Sequence, residues 1–162
     1  MLIKGKAHKY GNDVNTDVIY PGKYTYQQLS PKEMASHALE DLDTDFPASV
    51  HKDDIIVAGK NFGCGSSREQ AAACIKYAGI SGIIAGSFSR IFFRNAINFG
   101  LLAIAHPEAA GFIEDGDDVE INRESGIIRV KDREFKFSPL PQFVAGILEA
   151  GGLLPYLQEK LE

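Results

Sequence analysis

Between residues 54 and 105, three short apolar runs alternate with two longer mixed segments, and this alternation constrains the fold more than any other feature. The runs are Ile55-Ile56-Val57-Ala58, residues 82–86 and residues 101–105. None is long enough for an ordinary helix, and none carries a polar side chain to turn toward water. Each therefore predicts a strand buried on both faces. The segment after the first run continues through Ala71, Ala72, Ala73, Cys74 and Ile75 and meets Gly79. The segment after the second is capped by Ser87 or Ser89, runs to Asn98 and stops at Gly100. Serine ahead of a helix and glycine behind it are common end signals. Strand, helix, strand, helix, strand with short links predicts parallel strands joined by crossover helices.

The flanks read differently. Residues 1–10 can form an opening strand, and 11–17 (GNDVNTD) are rich in turn formers. Ser30-Pro31-Lys32-Glu33 predicts a helix start with serine at N-cap, proline at N1 and glutamate at N3, and the helix is expected to run to about Leu42. Residues 43–53 are acidic and polar and predict a loop with no part in the core, so Asp41, Asp43 and Asp45 read as solvated. Beyond Asp115-Gly116-Asp117 the pattern changes to alternation over 119–122, 127–130 and 134–137, with Gly126 and Asp132 in the turns, which predicts antiparallel strands. A helix over 141–150 stops at Gly151-Gly152, and a tail helix starts near Pro155. His106 reads as a strand-end residue. The 162 residues, 44% of them hydrophobic, suffice for one core. The expectation is a single α/β domain over 1–162 with a mixed sheet tending to a barrel.

Several functions are disfavoured. A net charge of -5 leaves no basic surplus for nucleic acid. No apolar run approaches the roughly 20 residues of a membrane span, and the first residues lack the apolar core of a signal peptide. Two cysteines, Cys64 and Cys74, make no disulfide framework and point to a reducing cytoplasm. They are also too few for an iron–sulfur cluster, which takes three or four thiolates. His8, His37, His51 and His106 are scattered. No metal or cofactor is expected on this chain, and a reaction that needs a cluster would take it from another chain.

The chemistry concentrates in residues 61–72, NFGCGSSREQAA. Gly63 and Gly65 permit positive φ and close approach. A strand entering a helix through such a loop leaves N–H groups unpaired, and these favour an anion. Arg68 adds a charged fork suited to a carboxylate or phosphate. Ser66 with Glu69, or Ser67 with Gln70, has capping-box spacing, so the serines also read simply as caps and Arg68 as a solvated first-turn residue. The segment is neither a P-loop nor a nucleophile elbow. Cys64 ahead of a helix would favour a thiolate. However, the second cysteine and the aromatic of a papain-type signature are missing, as is a partner histidine. A non-catalytic anion-binding module and a thiol hydrolase on Cys64 are the rivals of other classes.

Asn61-Phe62-Gly63-Cys64-Gly65-Ser66-Ser67-Arg68-Glu69-Gln70-Ala71 closely resembles the signature of the mobile swivel domain of the aconitase superfamily, with Gln70 where histidine is usual. Asn15-Thr16-Asp17-Val18-Ile19 resembles the threonine-aspartate motif that opens that domain. Ser87-Phe88-Ser89-Arg90-Ile91-Phe92-Phe93-Arg94-Asn95-Ala96 resembles its second helix motif. The resemblance implies a swivelling three-layer β/β/α fold. For a chain of this length it implies the small subunit of a two-subunit dehydratase of the isopropylmalate type, with homoaconitase and 2,3-dimethylmalate dehydratase small subunits as close alternatives. It further implies a large subunit carrying a [4Fe-4S] cluster, and a dicarboxylate hydroxy-acid substrate that is dehydrated and rehydrated. Ser66 would be the base and Asp17 an orienting group at the interface. Ser67 and Arg68 would bind substrate carboxylates. The loop after the threonine-aspartate motif would meet the variable substituent through Lys23, Thr25 and Tyr26. Residues 24–28 hold no arginine, which favours an alkyl group over a third carboxylate, although Lys23 could reach one. Arg90 and Arg94, one helical turn apart, read as surface or as contacts to the large subunit.

Overall fold

In the computed structural model, which describes residues 2–162, the three apolar runs are strands β2 (Ile55–Ala58), β3 (Gly82–Ala85) and β4 (Leu102–Ala105). They pair in parallel, with Ile56 beside Ile83 and Ile83 beside Ala103. The crossovers are α4 (Glu69–Tyr77) and α5 (Arg90–Asn98). Successive strand residues face opposite sides, and both sides are covered. Ile56, Ala58, Ile83, Ala85 and Ala103 pack with Ala71, Cys74, Ile75, Phe92 and Ala96 of the two crossover helices. Ile55, Val57, Ile84, Leu102 and Ile104 pack on the other side. There they meet α6 (Pro107–Phe112) and α7 (Gln142–Ala150) through Ala109, Ala110, Ile147 and Leu148. Double-sided burial is the reason these strands carry no polar residue.

The opening strand β1 (Leu2–Lys9) joins two kinds of sheet. Its last residues, Ala7–Lys9, run parallel to β2, and Leu2–Lys6 run antiparallel to β5 (Asp118–Asn122). The sheet continues antiparallel through β6 (Ile127–Val130) and β7 (Arg133–Lys136). The order is β4-β3-β2-β1-β5-β6-β7, one mixed sheet of seven strands curled into a half-barrel. On the wet side of the antiparallel half, Lys4, Glu120, Arg129 and Glu134 stand in register with alternating charge. These are the polar positions of the alternation seen in the sequence.

Four expectations are corrected. Neither Ser66 nor Ser67 caps α4: Arg68 holds the N-cap position with extended backbone and no side-chain cap. Residues 43–53 are not outside the core, because they contain α3 (Phe46–Ser49) and Phe46 is fully buried against the His8 ring. The helix opened by the Ser30–Glu33 capping box, α2 (Pro31–Ser36), ends well before Leu42. The chain then turns at Leu39, whose φ is 57°, and this carries Leu39 into the core. Residues 11–17 hold more than turns, since Asn15 caps α1 (Thr16–Ile19) by accepting from the Asp17 and Val18 amides. In addition, His106 ends the β4 segment and also caps α6, with Nδ1 accepting from the Ala109 amide at 3.0 Å. The tail helix α8 (Leu153–Leu161) begins just ahead of Pro155.

Candidate active site

Ligands of parallel α/β sheets gather beyond the carboxyl ends of the strands. Here the segments leaving β1, β2 and β3 at that end are laced together by backbone. The Thr16 amide donates to Cys64 O at 2.8 Å and the Gly63 amide to Val14 O at 2.7 Å. The Phe62 amide donates to Ser87 O, and the Ser89 amide returns to Phe62 O. Two hydroxyls lock the junctions: Thr16 Oγ1 donates to Ser66 O, and Ser89 Oγ donates to Gly63 O, both at 2.8 Å. Ser89 Oγ also accepts from the Phe92 amide and so caps α5.

Gly63 has φ 81°, and a side chain there would strike Phe92, whose Cγ lies 2.2 Å from the place of a Cβ. This close approach brings the first turn of α5 against the 63–68 loop. Thr16 ties down Cys64 O and Ser66 O, the loop bends through positive φ at Gly63 and Gly65, and the backbone is extended at Arg68. For that reason α4 starts at Glu69 and the serines are spared from capping.

The result is a pocket of about 150 Å³ lined by Ser66, Ser67, Arg68, Arg90 and Asn95, among others. Ser66 and Ser67 are exposed, and neither side chain has a protein hydrogen-bond partner among the described residues. The lining holds two arginines and no carboxylate. In a chain of net charge -5, this is a local cationic spot suited to an anion or to an oxygen that becomes one. A larger cleft of about 860 Å³ beside β1 and β5 lacks this character. Its Lys4, Lys6, Arg129 and Lys131 are each paired with a carboxylate.

Arg68 forms the inner wall, its side chain only 10% exposed. Nη1 donates to Thr25 Oγ1 at 2.8 Å, and Nη2 donates to Thr16 O at 2.7 Å and to Tyr20 O. Asp17 Oδ1 stands 3.2 Å from Nη2. Nε is buried without a partner among the described residues. Arg68 is thus not a solvated first-turn residue: it ties the 16–25 segment to the site.

The other expected site residues are placed less directly. Asp17 touches Arg68 but is 68% exposed and does not line the pocket. Thr25 reaches the site through Arg68, and its carbonyl accepts from Gln70 Nε2. Lys23 turns away: its Nζ lies 3.8 Å from Glu40 and over the Tyr24 ring. That neighbourhood holds its ammonium pKa above the ordinary value, chiefly through Tyr24 and then Glu40. Glu40 also accepts from Tyr24 Oη and pairs with His37, whose ring stacks on Tyr24 with centroids 3.9 Å apart. Tyr26 is 98% exposed. Thr16, Ser89 and Asn95 also line the pocket, although the sequence marks Ser89 only as a cap and the other two not at all. All three fall inside motifs quoted above, but no sequence signal separates a lining residue from its neighbours there.

The two thiols do not fit a cluster. Cys74 is fully buried in α4 with Sγ directed at Ile19 O and Ala71 O, and burial pushes its pKa up. Cys64 lies in the loop. No group of three or more His, Cys, Asp or Glu that could hold a metal occurs among the described residues.

The chain is similar to known proteins over nearly its whole length. The family described as the aconitase C-terminal domain matches residues 6–109. A 3-isopropylmalate dehydratase small subunit from Caldicellulosiruptor bescii is 51% identical, covering 100% of this chain and 98% of its own. A 2,3-dimethylmalate dehydratase small subunit from Eubacterium barkeri is 47% identical over 97% of each. The crystal structure of a 3-isopropylmalate dehydratase from Methanocaldococcus jannaschii superposes with a TM-score of 0.91 at 49% identity, covering 99% of this chain and 96% of that one.

Proposed function

The chain belongs to the aconitase C-terminal domain family, and from that premise we propose that it is the small subunit of a 3-isopropylmalate dehydratase. This hydro-lyase interconverts 2- and 3-isopropylmalate by dehydration and rehydration in leucine biosynthesis, in the cytoplasm. The small subunit works with a large one. The observation that carries the proposal is the pair of hydroxyls, Ser66 and Ser67, unpartnered among the described residues, on a pocket whose described lining holds two arginines and no carboxylate.

A proton on carbon next to a carboxylate is weakly acidic, so its removal needs a strong base and a setting that stabilises negative charge. Ser66 is that base in this reading, its oxygen held as an anion by the cationic lining. Ser67 donates to the substrate carboxylate, and Arg68 supplies charge from the wall behind it. Asp17 aligns the Arg68 fork. The departing hydroxyl needs a Lewis acid, which the [4Fe-4S] cluster of the large subunit would supply. At about 150 Å³ the pocket is half the ~300 Å³ of a small ligand cleft, which suits a substrate shared between two chains.

The substituent-reading loop supports an alkyl group. The charge of Lys23 is matched by Glu40, so the loop offers no free cation to a third carboxylate. An unpaired carboxylate buried there would be costly, which argues against homocitrate. The 47% identity to a 2,3-dimethylmalate dehydratase small subunit keeps that smaller 2-alkylmalate as the second reading.

The test is anaerobic reconstitution with a cluster-bearing large subunit, measuring kcat/KM for isopropylmalate, 2,3-dimethylmalate and homocitrate. Isopropylmalate is expected to be turned over best and homocitrate least. A formed complex with an intact cluster and no 2-alkylmalate turnover overturns the proposal.

A further inference from the structure

Seven polar residues line the pocket, and their donors can be accounted for one by one. Thr16 spends its hydroxyl proton on Ser66 O. Ser89 spends its own on Gly63 O and its lone pair on the Phe92 amide. Arg68 spends both terminal nitrogens on Thr25, Thr16 and Tyr20 and has Asp17 beside it. Ser66, Ser67, Arg90 and Asn95 remain, with no protein partner for their side chains among the described residues. Of the two guanidinium groups in the lining, only that of Arg90 is unopposed by a carboxylate among the described residues. The buried Arg68 Nε, likewise unpartnered, lies in the same wall.

Arg90 also sits where a cation is locally disfavoured. It is the first residue of the nine-residue helix α5, directly after its serine cap, and no acidic residue occupies that first turn. The positive end of the helix dipole repels a cation there. Arg90 is exposed, so water solvates its charge, and a residue placed against its local preference with no compensating contact among the described residues marks a site where function sets the choice. An anion at this spot would meet the helix end and a planar charged fork together.

Resting on the reading of the previous subsection, we propose that Arg90 is a substrate-binding residue that receives one carboxylate of the malate-type dicarboxylate. A dicarboxylate presents two anionic ends. Arg68, largely committed to Asp17 and the 16–25 segment, does not serve both. Arg90 takes the end that Ser67 and Arg68 do not hold, which makes it a determinant of the requirement for a second carboxylate.

The experiment uses the reconstituted complex with Arg90→Ala, Arg90→Gln and Arg90→Lys, and with Arg94→Ala as a control one turn outside the lining. It reads kcat and KM for isopropylmalate, inhibition by malate and by its monomethyl esters, and the affinity between subunits. Arg90→Ala and Arg90→Gln are expected to raise KM about 10- to 100-fold, the value of a hydrogen bond to a charged group, with a smaller change in kcat. Arg90→Lys recovers part of the loss, and Arg94→Ala stays within about twofold. In both neutral variants the preference for malate over its esters falls toward unity while subunit affinity is unchanged. An unchanged KM, an intact preference for malate, or a KM rise that follows weakened subunit association overturns the proposal, the last by making Arg90 an interface residue. A wild-type complex without isopropylmalate turnover overturns the earlier reading instead. Direct binding of malate to the wild-type and Arg90→Ala complexes still decides the role of Arg90 in that event.

Discussion

Arg68 Nη1 donates to Thr25 Oγ1 at 2.8 Å across 43 residues of sequence. The same guanidinium reaches Thr16 O and Tyr20 O and lies beside Asp17. The arginine of the serine-serine-arginine motif therefore fastens the 16–25 segment to the inner wall of the pocket. Site and loop are one mechanical unit.

Lysine has one point charge and cannot span this set of acceptors. Arg68→Lys is expected to leave the sheet folded and to speed hydrogen exchange of the 16–25 amides in the isolated chain. In the reconstituted complex it is expected to lower kcat/KM by about 10²-fold or more, the value of losing two charged hydrogen bonds. Exchange mass spectrometry and steady-state kinetics check both.

Glu40 fastens the far end of the same loop through Tyr24 Oη and Lys23. Glu40→Gln removes the charge that neutralises Lys23. It is expected to weaken turnover of isopropylmalate several-fold and to raise the homocitrate-to-isopropylmalate ratio of kcat/KM. Parallel measurements with the two substrates check the ratio.

The two motif glycines are expected to differ in cost. A Cβ at Gly63 would overlap Phe92, whereas at Gly65 the nearest atom is Thr16 Oγ1 at 3.4 Å. Both carry positive φ, 81° and 95°. Gly63→Ala combines backbone strain with overpacking and is expected to cost about 2–5 kcal/mol. Gly65→Ala carries the backbone strain alone, about 1–2 kcal/mol. Urea unfolding of the isolated chain measures both.

Asp54 contributes to stability in a pH-dependent way. Burial alone would raise its pKa, but hydrogen bonds from His8, the His51 amide and the Lys6 amide outweigh it and hold the carboxyl below the ordinary 3.8. A folded pKa below the unfolded one gives stability that is complete above about pH 4 and is lost as pH falls through the folded value. Asp54→Asn is expected to cost about 2 kcal/mol at pH 7. The gap from wild type should close below pH 4, as denaturant midpoints measured from pH 7 to 3 would show.

The parallel half of the fold was legible because Ile55–Ala58 and the two later runs are apolar at every position, which only a strand covered on both faces explains. The curled sheet was harder to read. β1 pairs with β2 nearly 50 residues away and with β5 more than 100 away, and no local pattern encodes such registers. Phe46 was missed because its acidic neighbours mask a single aromatic anchor. The serines of the 61–72 segment were legible as chemistry but misread as caps. Their freedom depends on Thr16 reaching across to Cys64 and Ser66, a contact between distant segments. Lys23 reads in the sequence as a possible carboxylate reader because its partner, Glu40, lies outside the loop that contains it.

The central claim is that the Ser66 oxygen removes the substrate proton while the metal belongs to the partner. The most direct measurement is the turnover of isopropylmalate by Ser66→Ala chain reconstituted with the cluster-loaded large subunit, together with subunit affinity and the cluster absorbance. The account predicts turnover lowered by about 10²–10⁴-fold, the usual share of a positioned base, with complex and cluster unchanged. Turnover within a few-fold of wild type in an equally tight complex would contradict it.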